Sequence, residues 1–376
     1  PPHRHAQAMA VWGMGVILGP IIGPALGGWL TDMYNWRWVF YINLPFGVLA
    51  AAGILVFIHE TRHGHREGFD VFGFATLSLA IGALQLMLDR GQLKDWFGST
   101  EIWIYATVAG LGFYLFVVHT ATATERSFFN RGLLRDPNCV AGILLMFLIG
   151  IPLYGTMILL PTMLQDLMNY PVLTTGLVTA PRGIGTMAAM FLVARLVNRV
   201  DTRLVILMGL VLTAIAMWQM TGFSLYMGMD PVIWTGFLQG FGLGFIFTPL
   251  SIVTFSTLPR PLLTQGTAIF SLVRNVGGSI GISIVEALLA QNTQTVHARL
   301  VEHLRPDNPL ARAPHLAAPY SLTDPAGLLA LNAEATRQAT MVAYLDDFML
   351  MMALVVIALP LLLLLRRPRA APALAE

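Results

Sequence analysis

Two five-residue strings in this chain have the spacing of catalytic sites. His59-Glu60-Thr61-Arg62-His63 reads H-E-x-x-H, which on a helix sets two imidazoles one turn apart for a zinc ion, with a glutamate as general base. Gly277-Gly278-Ser279-Ile280-Gly281 reads G-x-S-x-G, the turn that presents a nucleophilic serine when a strand precedes it and His and Asp partners complete it. The surroundings argue against both. Gly64 directly follows the first string, at a place where a helix stops. The second lies inside an apolar run, with no histidine between Cys139 and His297. A solvated loop and close helix packing are the simpler readings, so the chain is expected to be no enzyme and to hold no metal.

The remaining candidates are charges in apolar surroundings. Arg182 falls near the middle of the apolar run 173–194, where an uncompensated arginine costs ~2.5 kcal/mol or more in a bilayer. It is a candidate to hold an anion or a coupling carboxylate in a central cavity. The alternative is that this helix begins later and leaves Arg182 nearer the interface. Glu286 interrupts Gly281–Ala290 and is a candidate proton carrier, although it lies close to the outer end of its run. Asp346 and Asp347, at the outer start of the last run, read as interfacial or capping groups. Met146, Met157, Met163, Met187, Met190, Met208, Met217 and Met220, with Phe147, Trp218, Phe237 and Phe241, supply soft side chains suited to adaptable binding. The same residues serve equally as ordinary packing.

The elements that position these groups are membrane helices. The chain is 56% hydrophobic and only 11% charged over 376 residues, against about a quarter charged in soluble domains, and mean hydropathy is +0.69. A net charge of +2 gives no footing for nucleic acid, and the single cysteine, Cys139, excludes an internal disulfide. Ten runs are long enough to cross a bilayer: 9–30, 38–58, 70–88, 101–119, 139–160, 173–194, 203–222, 231–256, 266–290 and 342–365. With both termini inside, thirteen arginines fall in inner segments, against Arg37, Arg90 and Lys94 in the short outer loops and four more in the long outer segment. That asymmetry supports the orientation by the positive-inside rule. Segment 291–341 reads as a proline-rich outer loop, turning helical over 326–341.

Gly15, Gly19, Gly23 and Gly27 recur every four residues, with Pro20 and Pro24 directly after two of them. On a helix these glycines share a face and form a groove into which a second helix fits closely. Each proline frees a carbonyl that a neighbouring helix or a water-filled cavity must satisfy. Gly236, Gly240 and Gly244 repeat the spacing and read as helix packing.

The string from Gly15 to Gly28, G-x-x-x-G-P-x-x-G-P-x-x-G-G, resembles the antiporter signature (motif C) of the major facilitator superfamily. Trp36-Arg37-Trp38-Val39-Phe40-Tyr41-Ile42-Asn43-Leu44-Pro45-Phe46-Gly47 is similar to a string of its 14-helix drug:proton antiporter branch, the EmrB/QacA type. Further resemblances run on through the chain. Leu159-Leu160-Pro161 with Gln165, Gly176 and Ala180-Pro181-Arg182-Gly183 resembles the ninth-to-tenth helix passage, and Arg274-Asn275-Val276-Gly277-Gly278-Ser279-Ile280-Gly281 the thirteenth helix. Residues 194–203 look like a worn copy of the loop signature, keeping Leu196, Arg199 and Arg203 but departing at Ala194, Asn198 and Asp201. A Glu-Thr pair at residues 60–61 is also common in that family, which accounts for part of the H-E-x-x-H string.

The resemblance implies an all-α polytopic membrane protein of the major facilitator fold, with about ten transmembrane helices of an expected fourteen. Residues 1–58 would be the last two helices of the N-terminal bundle, 59–138 a linker with two extra helices, 139–365 the C-terminal six-helix bundle, and 366–376 a cytoplasmic tail. It implies proton-coupled export of hydrophobic, often cationic, small molecules by alternating access, across a bacterial inner membrane. The proton gradient is the energy source, and no cofactor is implied. Expected partners are the lipid bilayer, small-molecule substrates and protons, with a periplasmic adaptor protein as a further candidate. A dedicated exporter of one metabolite, siderophore or antibiotic is the alternative, and a non-transporting scaffold a third reading. The family's coupling carboxylate and partner arginine lie on its first and fourth helices, so this chain alone is expected not to transport.

Overall fold

A computed structural model describes residues 23–57, 70–122, 130, 132–196, 199–304, 320–321 and 324–365. Ten helical elements follow one another: α1 (23–33), α2 (Trp38–Phe57), α3 (Val71–Gly91), α4 (Thr100–Thr122), α5 (Pro137–Thr162), α6 (Val172–Leu196), α7 (Thr202–Met220), α8 (Asp230–Phe255), α9 (Leu263–Glu302) and α10 (Pro325–Ala358). Among the described residues nine of these, α2 to α10, are long and apolar enough to span a membrane. The expected first span, 9–30, is described only from Gly23. Gly15, Gly19 and Pro20 lie outside the described residues, as does the whole of His59–His63.

Local chemistry sets the helix ends. Asp136 precedes Pro137 and its Oδ1 accepts from the Cys139 N–H at 2.9 Å, so α5 starts with a side-chain cap and a proline whose missing donor costs nothing. Asp70 caps α3 in the same way through the Gly73 N–H at 2.8 Å. Pro181 breaks α6 at Ala180, and α5 runs out through a π-turn, Met163–Leu167. α9 does not stop near residue 290 as expected. Gln291 to Glu302 contains neither Gly nor Pro, and the helix continues to Glu302.

α5 to α10 form a bundle in which α5 packs on α9, α6 on α8, α8 on α7, and α10 on α5, α7 and α9. Leu145, Met146, Ile149, Met163, Ile206, Leu210, Met217, Met220, Phe348 and Met351 fill its centre. The seam between α5 and α9 depends on bare backbone at two points. A Cβ on Gly277 would meet Phe147 O at 2.5 Å, and one on Gly281 would meet Ile151 Cα at 2.7 Å. The G-x-S-x-G string is therefore a helix-packing surface, and Ser279 spends its hydroxyl on Asn275 O at 3.1 Å. α3 and α4 form a hairpin resting on α9, where Ser283 Oγ donates to Leu88 O at 3.3 Å. Asp70 pairs with His119 at one end of the hairpin (3.0 Å), and Glu101 pairs with Arg90 and Lys94 at the other. α2 buries none of its residues, which costs an apolar helix nothing against lipid tails.

Candidate functional site

A cavity of about 470 Å³ opens where α1 meets α5, α6 and α8, a size typical of small-molecule sites. Gly23 and Pro24 of α1 close one side. Leu153, Met157, Leu160, Val232, Leu243 and Phe247 supply most of the apolar wall. Polar side chains enter from two helices only: Thr156 from α5, and Thr179, Arg182 and Thr186 from α6.

Among the described residues Arg182 is the one charged side chain in this lining. It lies ten residues into α6, just past the proline break, and lines the cavity. Its Nη2 donates to Leu153 O at 3.0 Å, and it takes part in no ion pair among the described residues. Thr179 and Thr186 sit three residues before it and four after, so the three share a helix face. α6 is held there by α8. The Thr186 hydroxyl reaches Arg182 O and Gly240 O, each at 3.0 Å, and a Cβ on Gly240 would overlap the Arg182 carbonyl. Behind the wall Gln239, fully buried, donates from Nε2 to Thr156 Oγ at 2.9 Å, and its Oε1 has no partner among the described residues.

α1 meets α6 along a backbone-to-backbone seam. A Cβ on Gly28 would lie 2.8 Å from Val172 O, Gly176 abuts Pro24 O, and Asp32 Oδ2 accepts from the Leu173 N–H at 3.0 Å. The close approach falls on Gly28, whereas Gly23 and Gly27 have nothing within 4 Å of an added Cβ. The described contact is thus rotated one residue from the glycine stripe.

The family model of the Major Facilitator Superfamily matches residues 1–282. The chain belongs to the Major Facilitator Superfamily. Among its relatives, the multidrug export protein EmrB of Escherichia coli (strain K12) is 34% identical over 316 residues, 83% of this chain and 61% of that protein. The fatty acid resistance protein FarB of Neisseria gonorrhoeae is 30% identical over 371 residues, 98% of this chain and 73% of that one. This chain thus spans less than two thirds of the length of EmrB. The fold is shared with the inward-facing, occupied crystal structure of a bacterial homologue of the human lysosomal transporter Spinster. The TM-score there is 0.54 at 14% identity, over 99% of this chain and 73% of that one.

Within this superfamily fold, the candidates read from sequence separate. Arg182 reaches the cavity with Gly23, Pro24 and Met157. Gln165 lies in the π-turn, Trp218 is 64% exposed on α7, and Glu286 is exposed on α9, all three outside the lining. Met146, Met163, Met217 and Met220 are core. Leu196 packs beside Ala189, Val193, Val205 and Phe245; Arg199 is exposed. Arg203 buries its Nε without a partner among the described residues, while Asp201 Oδ1 accepts from the Arg203 N–H at 3.1 Å and starts α7. Sequence reasoning missed Phe247 and Thr186 in the cavity wall. It also missed the burial of Asp347, which is 1% exposed and has no partner for either oxygen among the described residues. Tyr344 and Met351 flank it at helical spacing on the same buried face, which in sequence looks no different from a lipid-facing one.

Proposed function

We propose that this protein is a multidrug efflux transporter that exchanges hydrophobic small molecules for protons by alternating access. The observation that carries the reading is the cavity between α1 and the α5–α8 side of the bundle. It is apolar, sits beside the antiporter-type glycine-proline segment, and holds one deeply placed charge. Relatives named for multidrug export and for fatty acid resistance support the same reading. The excess of inner arginines supports a bacterial inner-membrane orientation with both ends of this chain cytoplasmic, and a periplasmic adaptor is the partner proposed for the outer side. An enzymatic role has no support in the described residues, where Ser279 sits in a packed helix.

The test is proteoliposome transport. With the lumen made acidic, a lipophilic dye is expected to accumulate in vesicles holding these residues joined to the family's first four helices and to leak out once a protonophore is added, and not to accumulate in vesicles holding these 376 residues alone. Accumulation by the longer chain equal to that of protein-free liposomes would refute the proposal.

A further inference from the structure

We infer that the cavity selects amphipathic organic anions, an acidic headgroup on an apolar body, with Arg182 as the headgroup-binding residue. This rests on the preceding reading of the cavity as the substrate site and names its substrate class.

The four polar side chains of the wall are Thr156, Thr179, Arg182 and Thr186. Each threonine hydroxyl has one proton, and each already has a backbone acceptor: Thr156 on Pro152 O (2.7 Å), Thr179 on Thr175 O (2.8 Å), and Thr186 on Arg182 O or Gly240 O (3.0 Å). Thr156 Oγ also receives the Gln239 amide. The guanidinium is different. It carries five N–H donors and no acceptor, and among the described residues its side chain donates only to Leu153 O. The strong donors left over in the wall therefore all belong to Arg182, and they carry a positive charge.

A cationic ligand is bound most strongly by a carboxylate, and no Asp or Glu lines the cavity among the described residues. A cation there would be repelled by Arg182 in a low-dielectric site, whereas a carboxylate would gain charge-assisted, bidentate hydrogen bonds. It would also pair a half-buried charge that has no ion-pair partner among the described residues. Leu153, Met157, Leu160, Val232 and Phe247 then receive the tail. The cationic substrates that the sequence resemblance implies find no carboxylate in this wall among the described residues.

The experiment uses the chain in lipid nanodiscs, with dansyl-undecanoate as the fluorescent probe, at a pH where fatty acids are ionised. Three competitors share a twelve-carbon tail: dodecanoate, dodecanol and dodecyltrimethylammonium. Dodecanoate is expected to displace the probe at a concentration at least about tenfold lower than either of the others, equivalent to ~1.4 kcal/mol. Arg182→Gln should erase that preference while dodecanol competes as before, and Arg182→Lys, which keeps a charge without the fork, should retain part of it. The inference is overturned if the ammonium competes as well as dodecanoate in the unsubstituted protein, or if Arg182→Gln leaves the preference intact. In either of those cases the cavity still stands as a binding site. A probe that binds no better than to protein-free nanodiscs removes both this inference and the export reading.

Discussion

Gly236 and Gly240 sit one turn apart on α8 and face the same helix, yet the same substitution should have opposite effects at the two. An alanine Cβ at 236 would lie 4.0 Å from Arg182 Cβ, an ordinary contact. At 240 it would overlap Arg182 O and lie 2.7 Å from the carbonyl carbon and 3.1 Å from Cα. Carbon atoms rest at about 3.5–4.0 Å, so α6 must retreat by roughly 1 Å, and the obstruction is backbone that has no rotamer to change. Overpacking of this kind costs about 1–3 kcal/mol. Both variants gain the same helix propensity, up to ~1 kcal/mol, so that term cancels between them. Gly240→Ala should therefore be less stable than Gly236→Ala by about 1–3 kcal/mol. At roughly 2 °C or more per kcal/mol, the melting temperatures should separate by several degrees. Cys139 makes the measurement direct, because it is the only thiol in the chain and is fully buried. A coumarin maleimide that fluoresces on reacting with it reports unfolding in detergent. If Gly240→Ala melts at or above Gly236→Ala, the seam is not the rigid contact described, and the positioning of Arg182 by α8 falls with it.

Other outcomes follow from the same geometry. Cys139 in the folded protein should stay largely unlabelled by maleimide in detergent and label fully after denaturation, as counted by mass spectrometry; ready labelling in the native state would contradict its burial. Asp136 Oδ1 accepts both from the Cys139 N–H and from the Thr257 hydroxyl (2.8 Å), so Asp136→Ala should cost about 1–2 kcal/mol in thermal melts and Asp136→Asn clearly less. Thr156→Val leaves the buried Gln239 amide without its acceptor, costing about 1–3 kcal/mol. Gln239→Leu removes the buried amide altogether and should be close to neutral; if the order of those two melts is reversed, the amide is satisfied in some other way.

Much of this protein was legible in its residue order. Length, charge scarcity and the spacing of apolar runs determined a multi-pass helical membrane protein. The prolines and the interval between Gly236, Gly240 and Gly244 marked where helices bend and touch. The depth of Arg182 could be read as well, because a span of known length has a middle. Tertiary structure decided which way each helix turns. In a soluble bundle the polar stripe reveals the outer face, but lipid tails and protein cores are equally apolar. Trp218 and Met217 are therefore alike in sequence, while one points outward and the other fills the core. The same ambiguity concealed the burial of Asp347, put the α1 contact on Gly28 and not Gly27, and left the cavity wall unassigned until α6 and α8 were seen pressed together at Gly240.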